Sequence, residues 1–584
     1  MIQDLRAAFT RAAQVRLGLS FRDVQAAAAK HLLHRRIAEM QTGEGKTLTT
    51  AFAAAAHARA GRHVFVATAN AYLANRDAAW MRPVFEDLDV TVGSACTGTC
   101  TREAAQQSAQ KATGNQVSYQ ANITYGTIRQ FGFDFLRDSI RRRQQAGVTQ
   151  ALEARDRLSK PLDVLIVDEA DSVLIDEART PMIITAAGDG LCDGEQALFR
   201  WAADVARILT PGPDCLPLDS QNAYALTSAG RRRALDRPMP PAMNRFSTTE
   251  ILHAVERAVL VQHEYHRDHQ YLVRNQQVDV VDEYTGRAST QRTMSGGVHQ
   301  AVEAKEGLPL SPVTKSIARI TVQDFVAKFD HVCGLTATAH EDRHELAAVY
   351  RLRVKRIPTF RPVQRASLPT VVCASRAEKW NQISTEIAEL AVAGRPVLVG
   401  TRTIEQSESL GEVLQEHGIE HQLLNAKNPE QEAVIIAQAG RSGCVTIATN
   451  MAGRGTDIPI TDDVRARGGL HVIVSEMHAA HRIDQQLMGR CGRQGDPGST
   501  RLFVSAEDEL LALAWGKDIA NQIKIKFDAR RNKRWLIRQF VRAQQHLARL
   551  YRQQREQLTQ VESRMAESMR LLGLDPHLDP IADD

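Results

Sequence analysis

Five short, β-branched runs punctuate this chain, and each stops on a small or polar residue. They are VFVATA (Val64–Ala69), DVLIVDEAD (Asp163–Asp171), PVLVGT (Pro396–Thr401), CVTIATN (Cys444–Asn450) and LHVIVSE (Leu470–Glu476). A strand that is apolar on both faces must be covered on both. With helical stretches between the runs, the pattern predicts parallel α/β sheets flanked by helices. Ligands of such sheets collect at the carboxyl ends of the strands. The chain has 584 residues, and at ~150 residues per domain that length predicts roughly four folding units. Apolar residues make up 43% and charged residues 24%, which excludes disorder as the main state. The balance of 73 basic against 68 acidic residues, +5, is too mild for a chain-wide polyanion binder, so any such affinity must come from a local patch. No run approaches the ~18 apolar residues of a membrane span, and MIQDLRAAFTRAAQ at the start has no secretory apolar core. Eight cysteines, mostly isolated, point to a reducing interior and a cytosolic multidomain protein.

Two α/β blocks are expected, over residues 20–186 and 366–506, with a short helical leader over 1–19. Gly, Pro and Asp enrich Ala186–Asp219, and RPMPPAMN (Arg237–Asn244) reads as a loop. These signals set off an inserted domain over 187–298, in which YLVRN and VDVVDEY (Tyr271–Tyr284) predict antiparallel strands. Residues 299–365 return to the first block, and 507–584 form a C-terminal basic helical segment. From Lys524 to Glu556 there are eleven Lys or Arg against two acids, Asp528 and Glu556. Ile537, Phe540, Val541, Leu547, Leu550, Tyr551 and Leu558 recur at helical steps, predicting one long helix with an apolar face. Its basic back is read either as solvated or as a surface for anionic lipid or an acidic partner.

Three elements carry chemistry. QTGEGKTL (Gln41–Leu48) offers Gly43, Gly45, Lys46 and Thr47, the residues a phosphate-cradling loop needs before a helix, with Met40 where the usual pattern has its first glycine. Asp168 and Glu169 close the strand VLIVDEAD; an acid there holds Mg²⁺ through its water shell, and its neighbour polarises the attacking water. In the second block, TNMAGRGTDI (Thr449–Ile458) supplies Arg454 and Asp457, and QLMGRCGRQGDPGS (Gln486–Ser499) supplies Arg490 and Arg493 among glycines. Phosphoryl transfer depends on cations placed where charge develops, and these arginines suit that task. The set implies ATP binding and hydrolysis between two lobes.

That arrangement resembles helicase superfamily 2, with two RecA-like lobes closing on ATP. It resembles more closely the SecA family of preprotein-translocating ATPases. The residues carrying this are RDVQ (Arg22–Gln25), AEMQTGEGKTL (Ala38–Leu48), ITYGTIRQFGFDFLRD (Ile123–Asp138) and IVDEADSVLIDEARTPMII (Ile166–Ile184). VDEYTGR (Val281–Arg287), GGVHQAVEAKEGL (Gly296–Leu308), VLVGTRTIEQSE (Val397–Glu408), TIATNMAGRGTDI and the Arg-rich loop continue it in family order over roughly residues 20–510. The resemblance implies two RecA-like parallel-sheet lobes, an inserted α+β peptide-binding domain and a helical C-terminal segment. It implies Gln25 as the adenine reader and Gly43, Glu44, Gly45, Lys46 and Thr47 as the phosphate loop. Thr47 and Asp168 then hold Mg²⁺, largely through water, with Glu169 on the attacking water, Arg454 and Asp457 on the nucleotide, and Arg490 and Arg493 as arginine fingers. Asp176 and Arg482 fall where the family can form an ion pair that restrains ATPase activity, and the insert falls where the family clamps an unfolded chain. The implied partners are the SecYEG channel and unfolded preprotein, with acidic phospholipid and a homodimer as further assemblies, at the cytoplasmic face of the bacterial inner membrane.

There are departures. Ala337 stands where the family usually has Gly, and EMHAAHRID (Glu476–Asp484) lacks the usual charges before the arginine loop. The long amphipathic leader is largely absent, and the wing domain, two-helix finger and zinc tail have no counterpart, so a shortened member is expected, without zinc. The i, i+3, i+6 spacing of His263, His266 and His269 is read as exposed helical histidines, and Cys96 with Cys100 lacks a second pair for a metal. Three functions compete: a polypeptide-translocating ATPase, including a reduced form with an accessory role; a nucleic-acid helicase on the same motor; and a non-hydrolysing nucleotide-binding module. Nucleic acid is not expected as the partner, because no aromatic and basic stacking platform interrupts the lobes.

Overall fold

The computed structural model describes residues 2–96, 119–145, 161–187, 190–218, 223–267, 270–281, 288–289, 294, 296–312, 314–424, 435–436, 438–449, 457–528 and 532–578. Arg454, Cys100, His269 and most of VDEYTGR lie outside these residues. The chain divides into two compact units, residues 1–183 with 318–584, and 184–317. The larger unit holds two all-parallel sheets. The first runs in the order Arg353–Arg356, Arg36–Glu39, His331–Thr336, Val164–Asp168, Val64–Ala67, Ile123–Gly126, Val92–Ser94. The second runs Gln364–Ser367, Pro497–Ser505, Leu470–Val474, Val397–Thr401, Val445–Thr449, Gln422–Leu424, with Val371–Cys373 joining Pro497–Ser505 further along. All five strands read from the sequence are therefore central or near-central strands of parallel sheets. Val64–Ala67, Val397–Thr401, Val445–Thr449 and Leu470–Val474 are buried throughout, as strands covered on both faces must be.

The helix Ile2–Leu17 packs into lobe 1. Phe9 meets Phe21 and Phe52 edge-on, with ring centroids 5.2 and 5.3 Å apart. Edge-to-face pairs add about 0.5–1.5 kcal/mol each beyond their burial, and truncating a fully buried Phe costs about 3–5 kcal/mol. Phe9→Ala is accordingly expected to lower the thermal unfolding midpoint by several degrees, measured by circular dichroism. Among the described residues no helix is long and apolar enough to cross a membrane.

Two expectations change in detail. The single basic helix is two: Lys517–Lys526, and a 39-residue helix Lys533–Leu571. On the long helix Phe540 and Leu547 face the core with Leu536 and Ala543, but Val541 and Leu550 are exposed by 40% and 39%. The buried stripe is thus narrower than the sequence predicts. Gln544 donates to the His478 carbonyl and to Asp484, and Arg555 forms a buried pair with Glu345, so this helix is fastened to both lobes.

The smaller unit, Ile184–Ile317, contains the predicted antiparallel strands. Tyr271–Arg274 and Gln277–Val281 pair across the two-residue turn Asn275–Gln276, both at positive φ, a mirror-type hairpin turn. The unit extends past the expected boundary at 298. The helix Val298–Lys305 buries Ala301, Val302 and Ala304 against Phe199, Val261 and Tyr271 of the same unit, which keeps it there rather than in lobe 1. The helix carrying His263 ends at Glu264, so His266 lies beyond it and the histidine spacing is not that of one helical face.

Candidate active site between the two lobes

A cleft of about 870 Å³ opens between the lobes of the larger unit. Gln25, Gly43–Thr47, Asp168, Glu169, Asp457, Arg490 and Arg493 line it together. Residues more than 300 apart in sequence converge here: Gly43–Thr47, Asp168 and Asp457 come at or after the carboxyl ends of parallel strands, where loops gather, while Gln25 comes from the helix Asp23–Leu32 and Arg490 and Arg493 follow the helix His481–Met488.

The phosphate-type loop follows Arg36–Glu39 and opens the helix Lys46–Arg59, whose N-cap is Gly45. Gly43 and Gly45 hold φ of 86° and 85°, conformations that favour glycine. A Cβ on Gly45 would lie 2.1 Å from Gln25 Nε2, and one on Gly43 would lie 3.0 Å from Arg493 Cβ. The loop is therefore closely packed from both walls, and its backbone is left bare toward the cleft. Gly45→Ala is expected to abolish nucleotide binding with the fold retained, checked by titrating a fluorescent ATP analogue. Gln25 is buried; it donates to the Glu44 carbonyl at 2.9 Å and accepts from Arg22 N–H at 2.9 Å. The Glu44 side chain accepts from Phe360 N–H at 3.0 Å, so its carboxylate faces the segment that joins the lobes.

Lys46 Nζ stands 2.6 Å from Glu169 Oε1, both side chains nearly buried. Glu169 has φ of 54°, a left-handed conformation that non-glycine residues rarely adopt. Beside it, burial first and the Glu169 charge second push the Asp168 carboxyl up to about 7, with Lys46 opposing them and Asp77 adding to them. Two adjoining carboxylates with one ammonium between them form a donor set short of positive charge. With the Thr47 hydroxyl at the helix start, this set fits a hard divalent cation.

On the opposite wall, Arg493 pairs with Asp457 and donates from Nε to the Gly489 carbonyl at 3.0 Å. Thr42 reaches across to the same carbonyl at 2.6 Å. Arg482 is buried; it lies 2.5 Å from Asp176 and 3.3 Å from Asp342, so the expected pair has a second acid that the sequence did not suggest. Burial is the main cause raising Asp342, to about 6, and Arg482 opposes it.

A further set escaped the sequence reading. Asp171, fully buried, accepts from Thr336 at 2.6 Å and Thr338 at 2.7 Å, and Gln486 of lobe 2 donates to the same carboxylate. This network ties the acidic strand end of lobe 1 to the helix His481–Met488, which leads into the arginine loop. The sequence offers only that Asp171 closes the same acidic run as Asp168; that Thr336 ends the strand beside it emerges from the sheet order.

A phosphate-type loop, a strand-end acid pair and facing arginines on two parallel-sheet lobes define a P-loop ATPase of the two-lobed class. The chain belongs to the SecA family: residues 1–347 match the SecA DEAD-like domain, and 362–467 with 460–529 match the SecA P-loop domain. It is 40% identical to protein translocase subunit SecA 2 of Rhodopirellula baltica, over 97% of this chain and 87% of that protein. It is also 40% identical to protein translocase subunit SecA of Chromohalobacter salexigens, over 86% of this chain and 57% of that protein. Against the SecA of Heliobacterium modesticaldum the values are 41%, 86% and 56%. The chain thus spans somewhat over half the length of these last two relatives. Among solved structures, Dbp5 of S. cerevisiae bound to RNA and ADP BeF3 aligns over 94% of this chain and 99% of its own, at 12% identity and a TM-score of 0.42.

Proposed function

We propose that this chain is an ATP-hydrolysing SecA-type motor that couples turnover to movement of unfolded preprotein across or into the bacterial inner membrane through the SecYEG channel. It would work from the cytoplasmic face as a peripheral protein. The observation that carries the proposal is the shared cleft, with Lys46 and Glu169 on one wall and Arg490 and Arg493 on the other. ATP is the substrate. Backbone N–H groups of Gly43–Thr47 bind its phosphates, and Lys46 leaves Glu169 for them. Glu169, released from that ion pair, accepts a proton from the attacking water. Thr47 and Asp168 would hold Mg²⁺, which neutralises phosphate charge when bound. Arg490 and Arg493 face the charge that develops on the transferring group, and Asp457 keeps Arg493 oriented toward it. Asp171, through Thr338 and Gln486, links the state of one lobe to the other.

The inserted unit takes the role of holding the client. Its two-stranded sheet, Cys215–Leu218 with Ala223–Leu226, has no third strand among the described residues, and Leu216 and Leu218 are exposed. Such edges accept extended chains of many sequences.

The test is ATP turnover with and without SecYEG proteoliposomes and a signal-bearing client. Stimulation is expected, and its absence with every addition would remove the translocase reading. The Arg482–Asp176 pair restrains the cleft in this reading. Asp176→Asn is expected to raise basal turnover about fivefold, the ratio that about 1 kcal/mol of lost restraint gives. Phosphate release without client checks this, and unchanged or reduced release would count against the restraint.

A further inference from the structure

The strand Arg353–Arg356 closes one side of the lobe 1 sheet. It pairs with Arg36–Glu39, and among the described residues no strand lies on its outer side. The register sorts its charges between two faces. On one face Glu39 is level with Arg356, and the two meet at 2.9 Å. On the other face Arg36 is level with Arg353 and Ala38 with Lys355, so three cations stand together with no acid among them. The helix Asp23–Leu32 adds Lys30 and His31 in its last turn. His31 is held below its ordinary proton affinity, first by burial and then by the charges of Arg36, Lys355, His34 and Lys30, which places all four near one imidazole. Among the described residues, Lys30, Arg35, Arg36, Arg353 and Lys355 have no acidic side chain within ion-pair distance.

Charge on an edge strand also keeps sheets from pairing edge to edge. That accounts for Lys355 but not for Arg36, which lies one strand in, or for Lys30, which is on a helix. We propose that this edge of lobe 1 captures an acidic, extended polypeptide segment by strand addition. The segment's main chain would continue the ladder on Arg353–Arg356, and acidic side chains two residues apart would stand beside Arg353 and Lys355. Directly opposed cross-strand side chains lie about 4.5–5.5 Å apart at Cβ, close enough to pair. A polypeptide strand uses both features present here, the open main-chain edge and the unneutralised cations. RNA and anionic lipid would use the charge alone. No large hydrophobic residue of Lys30–Arg36 or Arg351–Arg356 is among the strongly exposed ones, which leaves neither a stacking platform for bases nor an apolar anchor for a bilayer.

The experiment uses the full chain and fluorescence anisotropy with a short labelled peptide alternating Glu and Val. Controls are its Lys/Val counterpart, the Glu/Val peptide N-methylated at alternate residues, a duplex RNA and phosphatidylglycerol vesicles. The Glu/Val peptide is expected to bind, and the double variant R353E/K355E to weaken it by about tenfold or more, a factor of ten being a modest free-energy change. N-methylation, which removes main-chain donors but no charge, is expected to weaken it comparably, and ATP turnover of the variant to remain that of the parent. Should R353E/K355E lose its thermal midpoint, R353Q/K355Q serves in its place. Equal binding of parent and N-methylated peptides overturns strand addition. Binding unaffected by either double variant overturns the site. RNA or vesicle binding that depends on Arg353 and Lys355, with no peptide binding, overturns the choice of partner.

Discussion

Lys46→Ala is expected to abolish ATP turnover, by about 10³-fold or more, since removing one preorganised donor from a charge-developing site costs about 10²–10³ and in the proposed mechanism this one also binds ground-state phosphate. The structure adds a second consequence. Lys46 is the ammonium beside Glu169, and both are nearly buried. Removing it leaves Glu169 with its charge uncompensated next to Asp168, and breaking a buried pair from one side costs about 3–5 kcal/mol. The thermal midpoint should therefore fall along with activity. Glu169→Gln removes that repulsion instead; it should stay folded, retain ATP and lose about 10²–10⁴ in turnover, the range for a general base. In the double variant K46A/E169Q the midpoint should recover while turnover stays absent. Calorimetry beside phosphate release separates these outcomes, and parental turnover in either single variant would refute the site.

Arg493→Ala should lose about 10³–10⁵ in turnover, the range for an arginine finger, with a smaller change in ATP affinity. The guanidinium is already positioned: its stem lies against Gly43, Nε is on the Gly489 carbonyl and the head pairs with Asp457. A lysine at 493 keeps the charge but not the fork, so Arg493→Lys should recover little of the loss. Single-turnover measurements isolate the chemical step. A Lys variant as fast as the parent would mean that Arg493 supplies a general positive field rather than directed hydrogen bonds.

The parallel sheets were legible because runs such as Val164–Val167 and Val445–Thr449 are short, β-branched and bounded by small or polar residues, which favours a strand covered on both faces over a buried helix. The cleft was legible for the same reason, since strand ends converge. What stayed hidden depends on partners far away in sequence. Nothing near Asp171 announces Thr338 or Gln486, and nothing near Arg482 announces Asp342. The sequence assigns the Val298–Lys305 helix to the return to lobe 1; its packing on Phe199 and Tyr271 puts it in the smaller unit. The long basic helix was over-read at Val541 and Leu550 because periodicity gives the width of an apolar stripe only to within a residue or two.

The placement of His331–Thr336 between Arg36–Glu39 and Val164–Asp168 affects how the protein is made. During synthesis the first-made half of this sheet leaves the ribosome with its middle position vacant. At about 5–20 residues per second, the gap stays open on the order of ten to thirty seconds while the inserted unit is translated. The strand Arg36–Glu39, whose two partners are both made later, and the facing edge of Val164–Asp168 stay unpaired meanwhile, and unpaired strand edges are where nascent chains associate wrongly.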